Sequence, residues 1–368
     1  MNPFVIKGYK GAKYFCNRKK ESDILIDAIK NSQDITLYAY RRLGKSALIQ
    51  HVFNKIDKEY CCIYVDIWGT TKVQEFIREF ANGVMKSDYF SKRNLTSKLV
   101  SFMKSIGASF SFGMDGLPKI DLIFNDKTQV FKNLEEIFSF LNKSDKSIVV
   151  AIDEFQEIKK YENEIPFEGK LRALVQQSKN ITFLFSGSEH HLLTEIFNKY
   201  NKPFYQSTRM IAIDKIDKQD YREFIIHHFK TAKKQIEPTI VDFILEITHM
   251  HTYYIQAISN FLYSQYTLPH NIDEFNNIYR EYISEKRVFY SELPERLTKQ
   301  QFAAVKSFAM LGKVASPTSG EFLERTTIKS ASSMQRVISS LLNKQIIIKD
   351  EGNYRLYDVF CEHFLKYT

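Results

Sequence analysis

Apolar residues in the first two thirds of the chain fall into short uninterrupted runs, and stretches with helical periodicity lie between the runs. Five runs rich in β-branched and aromatic residues predict strands at residues 35–40, 61–68, 147–155, 181–187 and 210–216. Strands that alternate with helices form a parallel sheet whose two faces are both covered. The pattern therefore predicts an α/β fold with three layers.

A long interruption of this alternation lies at residues 87–127. Its stretch 106–116 has glycines on both sides of phenylalanines, which predicts a hairpin or a mobile loop. Such a segment either contacts a partner or decorates the sheet, and we favour decoration.

Residues 217–290 have helical periodicity throughout. Their apolar positions are spaced for helices at Phe224, Ile225, Phe229, Ile255, Ile258, Phe261 and Leu262. Aromatic residues at this spacing are typical of a helical core, so they do not indicate a surface that stacks on nucleic-acid bases.

The last segment, residues 299–368, predicts three helices and then a hairpin. Its third helix, residues 330–343, has an apolar stripe at Met334, Val337, Ile338, Leu341 and Leu342. Two short strands, 345–349 and 354–356, flank an acidic turn that contains glycine. This order of elements is that of a winged helix.

The composition sets outer bounds on the kind of protein. The chain has 368 residues, 44% of them hydrophobic, which is enough for two or three domains with buried cores. It has neither a run of about 18 apolar residues nor the apolar segment of a signal peptide, so we expect a cytoplasmic protein with no membrane contact. The four cysteines lack paired spacing, as expected in a reducing compartment.

Candidate chemistry begins where the first predicted strand meets the next helix, at Gly44, Lys45 and Ser46. In a phosphate-binding loop, main-chain amides and the helix N-terminus bind the β-phosphate, the lysine reaches the β- and γ-phosphates, and the hydroxyl holds Mg²⁺. The first glycine of that motif is replaced here by Ala39. For the tripeptide alone the alternative is a solvated turn, but the order of strand, loop and helix favours phosphate binding.

Two acids, Asp153 and Glu154, end the third predicted strand. Carboxylates at the carboxyl end of a buried parallel strand suit an Asp153 linked to Mg²⁺ and a Glu154 that polarises water. An acidic helix N-terminus is the alternative. The Gly-Lys-Ser sequence upstream favours the catalytic interpretation.

Together these motifs resemble the archaeal-type ATPases of the STAND group of P-loop NTPases, which are relatives of AAA+ proteins. The resemblance spans nearly the whole chain and rests on residues 15–21, 41–46, 152–157 and 185–189. The double arginine before Gly44 is its most specific part. Members of this family also end in a winged helix, which the last seventy residues resemble.

The resemblance implies a P-loop NTPase sheet with strand order 5-1-4-3-2, followed by a helical lid that packs over the nucleotide and by a winged-helix domain. The domains would be an ATPase core at 1–216, the lid at 217–298 and the winged helix at 299–368. The ligands would be ATP or ADP with Mg²⁺.

The motifs and the resemblance also give a set of site residues. Nucleotide would contact Arg18, Ala39, Arg41, Arg42, Leu43, Gly44, Lys45, Ser46, Ala47 and Asp153. Mg²⁺ would be held by Ser46 and Asp153. The catalytic residues would be Lys45, Glu154 and Ser188. Lys45 would bind the phosphates and Glu154 would position the attacking water. Ser186 or Ser188 would reach the γ-phosphate or that water.

Three features depart from the family pattern. Ala39 replaces a glycine, which would lower nucleotide affinity or turnover. The arginine expected after the sensor strand is displaced to Arg209, which is a candidate γ-phosphate sensor. In the lid, Thr252 follows His251 where the family has a proline.

Other basic residues have two interpretations each. Arg41, Arg42 and Arg209 are candidates for contacts with a neighbouring subunit's phosphate, although Arg41 and Arg42 alternatively brace the loop against the lid. Arg18 and Glu21 match a family motif near the adenine, or form a pair that caps the first helix.

If the winged helix binds DNA, the outward side of its third helix would face the major groove with Ser332, Ser333, Gln335, Arg336 and Ser339. Phosphates would be contacted by Lys329, Lys344, Lys349 and Arg355. The segment has ten Lys or Arg against six Asp or Glu, while the whole chain has a net charge of +9. Because the acids Glu321, Glu324, Asp350 and Glu351 lie near that face, a protein-docking or autoinhibitory role is equally open.

Two functions follow from these patterns. The first is a Mg²⁺-dependent, ATP-hydrolysing switch in which the lid and the winged helix move between nucleotide states. The second is a nucleotide-stabilised winged-helix adaptor for DNA or protein with negligible turnover, which Ala39 and the displaced Arg209 slightly favour. The sequence does not give the oligomeric state.

Overall fold

The computed structural model describes residues 1–91, 95–112, 118–122, 127–161 and 166–367. The chain divides into two compact units. One unit is Lys7–Ile216, and the other combines Met1–Ile6 with Asp217–Thr368. In the described part of the chain, no helix is both long and apolar enough to cross a membrane.

The unit Lys7–Ile216 is built on a parallel sheet of five strands. Numbered along the described chain, the strands are β1 Ile35–Tyr38, β2 Cys61–Asp66, β3 Ala108–Phe112, β4 Pro118–Leu122, β5 Ile148–Asp153, β6 Ile181–Gly187, β7 Arg209–Ala212, β8 Ile347–Asp350 and β9 Asn353–Leu356.

The order in this sheet is β2-β5-β6-β1-β7. The numbers differ from the prediction because β3 and β4 lie outside the sheet. When only the sheet strands are counted, the order is the predicted 5-1-4-3-2, and the α/β fold is confirmed. Strands β1 and β7 are shorter than their apolar runs. They pair with each other over four residues, Ile35–Tyr38 against Arg209–Ala212.

Strand β5 shows why the sheet lies between two helical layers. Ile148, Val150 and Ile152 belong to one hydrophobic core, whereas Val149 and Ala151 belong to another. Successive side chains of a strand point to opposite faces, so an apolar residue at every position buries both faces.

Helices cover these two faces. The helices of this unit are α1 Lys19–Lys30, α2 Lys45–Ile56, α3 Val73–Lys86, α4 Asp88–Ser91, α5 Leu95–Ser105, α6 Lys127–Asn142, α7 Phe167–Gln177 and α8 His190–Asn198, with 3-10 helices at Ala12–Tyr14 and Phe155–Tyr161. Helices α1 and α2 contribute to the core that contains Val149, while α3, α6, α7 and α8 contribute to the core that contains Ile148.

The interruption of the alternation contains the predicted hairpin. Strands β3 and β4 pair antiparallel, from Ala108 opposite Leu122 to Phe112 opposite Pro118. Strand β4 lies next to α3, and Leu122 is buried in the core beside it. This packing agrees with decoration of the sheet. Residues 113–117, which join the two strands, lie outside the described residues.

In its described residues, 1–6 and 217–367, the second unit consists of helices and the β8–β9 hairpin. Its helices are α9 Lys218–Thr231, α10 Pro238–Ile247, α11 Thr252–Ser264, α12 Ile272–Ser284, α13 Arg287–Tyr290, α14 Leu293–Arg296, α15 Lys299–Leu311, α16 Gly320–Glu324, α17 Ala331–Asn343 and α18 Val359–Tyr367. Helices α15, α16 and α17 followed by the β8–β9 hairpin reproduce the predicted winged-helix order. Helix α18, which packs on α15, was not predicted.

Residues 1–6 complete this helical unit. Phe4 is 1% exposed and lies among the rings of Phe224, His228, Phe229 and Tyr263 on α9 and α11. Asn2 and Asn260 form hydrogen bonds that hold the segment along α11. The predicted boundary at residue 298 has no counterpart in this division of the chain, so the separate lid and winged-helix domains stay a prediction.

Candidate nucleotide-binding site

The loop between β1 and α2 has the backbone of an anion-binding turn. Gly44 precedes α2 with a left-handed φ of 94°, and Arg42 is also left-handed with a φ of 66°. Helix α2 starts at Lys45, so the amides of its first turn have no helical acceptor and are available to an anion. Ala39 is not among the positive-φ residues, so this backbone does not require glycine at the first motif position.

The predicted loop residues divide between support and contact surface. Ala39 and Leu43 are buried in the core beneath the loop, and Lys45 is only 6% exposed. Arg41, Arg42 and Ser46 are exposed, and Ala47 is half-buried in the first turn of α2. The apolar residues Ala39 and Leu43 therefore anchor the loop from below, while Lys45 is a polar residue that is also buried.

Asp153 lies at the centre of a network of hydroxyl groups. Ser46 Oγ and Tyr64 Oη both donate to Asp153 Oδ2, at 2.6 Å and 2.5 Å. Ser186 Oγ and the Glu154 amide donate to the other oxygen, Oδ1. The carboxylate is only 3% exposed, so its charge requires these donors.

The electrostatics of this network favour an ionised carboxylate. Burial alone would raise the pKa of Asp153, but the Lys45 ammonium and the hydroxyls of Ser186, Ser46 and Tyr64 outweigh burial and lower that pKa. Burial and the neighbouring Asp153 charge raise the pKa of Tyr64, so the phenol stays a donor.

The donor chemistry of Ser46 and Asp153 fits Mg²⁺. This ion prefers hard oxygen ligands and is typically held in proteins by one or two carboxylates together with substrate phosphates. Here a hydroxyl and an ionised carboxylate meet at 2.6 Å at the start of α2. These two side chains would hold the ion next to phosphates bound by the loop.

Glu154 is held by a second set of donors. It follows Asp153 with a left-handed φ of 55°. Its Oε2 atom accepts from Ser188 Oγ at 2.7 Å and from Gln156 Nε2 at 2.5 Å. Arg41 Nε donates to the same Ser188 hydroxyl at 3.3 Å, and Arg41 Nη2 lies 3.5 Å from Glu189 Oε1. Within one chain, Arg41 therefore connects the loop to the end of β6.

Arg18 lies beneath the loop. It precedes α1, is 4% exposed, and donates through Nη2 to the carbonyl oxygen of Leu43 at 3.2 Å. Its Nη1 atom pairs with Glu21 at 2.7 Å. The Arg18–Glu21 pair is present, but the Arg18 side chain makes no cap hydrogen bond to α1, and its contact with the loop is to the main chain.

Arg209 lies at the amino ends of the strands, whereas the predicted sensor would have to lie at their carboxyl ends. It begins β7 and pairs with Ile35 at the amino end of β1, while the phosphate-binding loop follows the carboxyl end of β1 at Tyr38. Because β1 and β7 run parallel, Arg209 and the loop lie at opposite edges. The prediction of Arg209 as a γ-phosphate sensor within its own chain is wrong, and a contact in trans stays a prediction.

The predicted DNA-facing surface of the winged helix is largely exposed. On and around α17, Ser332, Gln335, Arg336, Ser339, Lys329, Lys344 and Lys349 are exposed, and Ser333 is half-buried. Arg355 is the exception, because it is 1% exposed and pairs with Asp350 at 2.9 Å. The prediction that Arg355 contacts phosphates is therefore wrong.

Two polar residues of the site were missed. Tyr64 lies on β2, which is adjacent to β5, and its register neighbour is Ala151, two residues before Asp153. The predicted strand order already placed these strands side by side, so a tyrosine near the carboxyl end of β2 was a usable signal. Gln156 lies within the motif at 152–157, but nothing in its spacing indicated that its side chain turns back to Glu154.

Comparison with known families agrees with this geometry. Residues 15–257 match the sequence model of an ATPase domain found predominantly in Archaea. Residues 288–367 match that of a probable winged helix domain.

Two uncharacterized ATP-binding proteins of Methanocaldococcus jannaschii are similar in sequence. One is 28% identical over 156 residues and the other 26% identical over 159 residues, in each case 39% of this chain. The matches span only 40% and 43% of the lengths of those two relatives.

Solved structures share the fold. The Walker-type ATPase of Pyrococcus abyssi has a TM-score of 0.68 at 18% identity, with 99% of both chains covered. The ORC2 protein of Aeropyrum pernix, solved with ADPNP and ADP, has a TM-score of 0.60 at 12% identity, covering 100% of this chain and 96% of the other. The ORC1 protein of the same organism, solved with DNA, has a TM-score of 0.51 at 13% identity, covering 95% and 92%.

The family match covers well over half of the chain and includes the loop, both acids and the strand that carries Ser186. The chain therefore belongs to the family of ATPase domains found predominantly in Archaea.

Proposed function

We propose that this protein binds ATP with Mg²⁺ and hydrolyses it, as a molecular switch coupled to its winged helix. The observation that carries the proposal is the 2.6 Å hydrogen bond between Ser46 and the buried Asp153, beside the buried Lys45 at the start of α2. A solvated turn would not bury a lysine and an aspartate together, because isolated buried charges are costly.

Each side chain has a role in this proposal. Lys45 and the first-turn amides of α2 bind the phosphates, and Ser46 with Asp153 holds Mg²⁺. Glu154 orients the attacking water, and Ser188 contacts Glu154 or the γ-phosphate. In phosphoryl transfer the protein contributes mainly alignment and charge stabilisation, which such a fixed network supplies.

Three finer assignments belong to the same proposal. The motifs at 15–21, 41–46 and 152–157 support the STAND and AAA+ relationship. The lack of a long apolar run and of a signal-peptide segment in this sequence supports a cytoplasmic location. ATP or ADP as the ligand is supported by the ATP-binding relatives and by the ADPNP and ADP found in the ORC2 protein.

Phosphate release and calorimetric nucleotide binding test the proposal with the whole chain. We expect Lys45→Ala to lose nucleotide binding. Glu154→Gln should bind MgATP normally but release phosphate about 10²–10⁴ times more slowly, the usual value of a general base. Lys30→Ala, an exposed residue at the end of α1, is the control and should behave like the wild type. Equal background rates in all four proteins would end the ATPase proposal.

The alternative is a nucleotide-stabilised adaptor with negligible turnover. The same measurements separate it from the enzyme, because an adaptor would give binding heat that depends on Lys45 but no phosphate release. A Glu154→Gln variant would then be indistinguishable from the wild type in every readout.

For the winged helix we propose DNA as the partner. The exposed polar face of α17 with Lys329, Lys344 and Lys349 supports this, as does the fold shared with the DNA-bound ORC1 protein. Arg336→Ala and Lys349→Ala should each weaken binding to duplex DNA and, where they contact phosphate, lower the salt slope by about 1. Lys366→Ala, on α18, is the control. Binding that is unchanged in the first two variants would leave protein docking as the role of this face.

A further inference from the structure

The side chain of Gln156 occupies the space between the Glu154 carboxylate and the end of β6. Gln156 is the second residue of the 3-10 helix Phe155–Tyr161 and is 2% exposed. Its Nε2 atom donates to Glu154 Oε2 at 2.5 Å. A carboxylate only accepts hydrogen bonds, so the amide nitrogen has to face Glu154 and the amide oxygen has to face away.

The amide oxygen faces Gly187, where there is no side chain. A Cβ atom at position 187 would overlap Gln156 Oε1, and would lie 3.3 Å from Gln156 Cδ and 3.0 Å from Leu193 Cδ1. Gly187 does not have a positive φ, so its backbone does not require glycine. The lack of a side chain at Gly187 is therefore explained by the space that Gln156 and Leu193 occupy.

Both donors to the Glu154 side chain use the same oxygen. Ser188 and Gln156 bond Oε2, which leaves Oε1 to accept a hydrogen bond from water. Glu154 also has a strained left-handed backbone, with a φ of 55°. A carboxylate held by two donors on one oxygen has one orientation, and general-base catalysis requires such an orientation.

We propose that Gln156 is a positioning residue for hydrolysis, which fixes Oε2 of Glu154 so that Oε1 receives the proton of the attacking water. The inference rests on the proposed ATPase function. It assigns to Gly187 the role of making room for the Gln156 amide.

Two substitutions remove the same hydrogen bond by different routes. Gln156→Met keeps the length of the side chain but has no donor, while Gly187→Ala displaces the amide of an unchanged glutamine. Each should lower kcat for phosphate release about tenfold, as expected for the loss of a hydrogen bond to a charged group. The calorimetric Kd for MgATP and the KM should stay within about twofold, because this bond does not contact the nucleotide.

The double variant distinguishes positioning from general damage. If both changes break one bond, Gln156→Met combined with Gly187→Ala should be no slower than either single variant, whereas independent defects would multiply. Gly169→Ala is the matched control, since a Cβ at that position in α7 meets nothing within 4 Å. Gln156→Asn, which keeps the amide but is one methylene shorter, serves if the methionine variant does not fold.

The possible outcomes separate the two proposals. A wild-type protein that releases no phosphate ends the ATPase proposal and this inference with it. Turnover in the wild type with unchanged kcat in both Gln156 variants overturns this inference alone. A variant in which kcat and MgATP affinity fall together, with a lower unfolding temperature, shows a structural role and also overturns it.

Discussion

The loop between β1 and α2 turns at Arg42 and Gly44, not at Ala39. We therefore expect Ala39→Gly to lower the free energy of unfolding by about 0.4–1 kcal/mol, through added freedom in the unfolded chain, without tightening nucleotide binding. At position 42 we expect glycine to be favourable instead. The free energy of unfolding of Arg42→Gly should be about 1 kcal/mol higher than that of Arg42→Ala, because only glycine adopts a φ of 66° without strain. Urea unfolding measures both. A tighter MgATP affinity in Ala39→Gly would contradict the first expectation.

Tyr64 shares Asp153 Oδ2 with Ser46 and so contributes to the proposed Mg²⁺ site. Tyr64→Phe keeps the ring but removes the hydroxyl, and we expect the gain in nucleotide affinity that Mg²⁺ provides to shrink. Affinity measured in EDTA should fall much less, because the hydroxyl contacts Asp153 and the Ser46 side chain, the two residues proposed to hold the ion. Calorimetry with and without Mg²⁺ checks this, with Tyr60→Phe as the control. An equal loss of affinity in EDTA would show that Tyr64 acts on the loop instead.

Asp153 also predicts how stability depends on pH. Its pKa is lowered in the folded chain, because the Lys45 charge and three hydroxyls outweigh burial. The stabilisation is therefore fully present above the unfolded value of about 3.9 and is lost as pH falls through the folded pKa. The difference in unfolding free energy between wild type and Asp153→Asn should be constant from pH 7 to 5 and shrink in more acidic solution. A difference that grows on acidification would contradict this assignment.

At the scale of elements, periodicity predicted the positions of strands and helices along the chain. It did not predict positions that depend on pairing between strands far apart in the sequence. The apolar runs located all five sheet strands, and the stripe on α17 located the third helix of the winged helix. The position of Arg209 depends on the register of β7 against β1, which is set by residues more than 150 positions apart and leaves no mark in the local pattern. The strand order came from the family resemblance, since periodicity alone does not order strands.

The same limit explains Arg355. An arginine in a short hairpin strand is expected to be exposed. Here Tyr354 pairs with Val314, and β9 lies next to α15 and α18. One face of the hairpin is therefore covered. Gln156 was missed for a related reason. Its contact with Glu154 depends on side-chain direction, which the sequence does not specify, whereas the predicted strand order already placed Tyr64 close to Asp153.

The buried pair of Arg355 and Asp350 gives a prediction for the hairpin. Arg355→Ala should lower the free energy of unfolding by about 3–5 kcal/mol, because it removes the arginine from a carboxylate whose side chain is only 11% exposed. Lys349→Ala, the neighbouring exposed residue, should change it by no more than about 0.5 kcal/mol. Thermal unfolding compares the two. Similar small effects in both would show that the pair does not support the hairpin.

At the scale of the whole molecule, the chain passes between its two units twice. It leaves the helical unit after Ile6, forms the whole of the unit Lys7–Ile216, and returns at Asp217. The first six residues are therefore a structural part of a unit whose remainder is encoded more than 200 residues later. The proposed switch would therefore have two covalent connections between its two units instead of one.

Phe4 tests whether the two units unfold independently. Its ring is 1% exposed and lies 5.4 Å from the ring of Phe229, and Phe4→Ala should cost the helical unit about 3–5 kcal/mol, as for other large-to-small core changes. In scanning calorimetry we expect this to lower the transition of the helical unit only. MgATP should raise the transition of Lys7–Ile216, because a ligand stabilises the state that binds it. Ile6→Ala, at a side chain that is 47% exposed, is the matched control and should shift neither transition appreciably. If Phe4→Ala and MgATP instead move one shared transition, the two units unfold as a single cooperative block, and the expectation of independent unfolding is wrong.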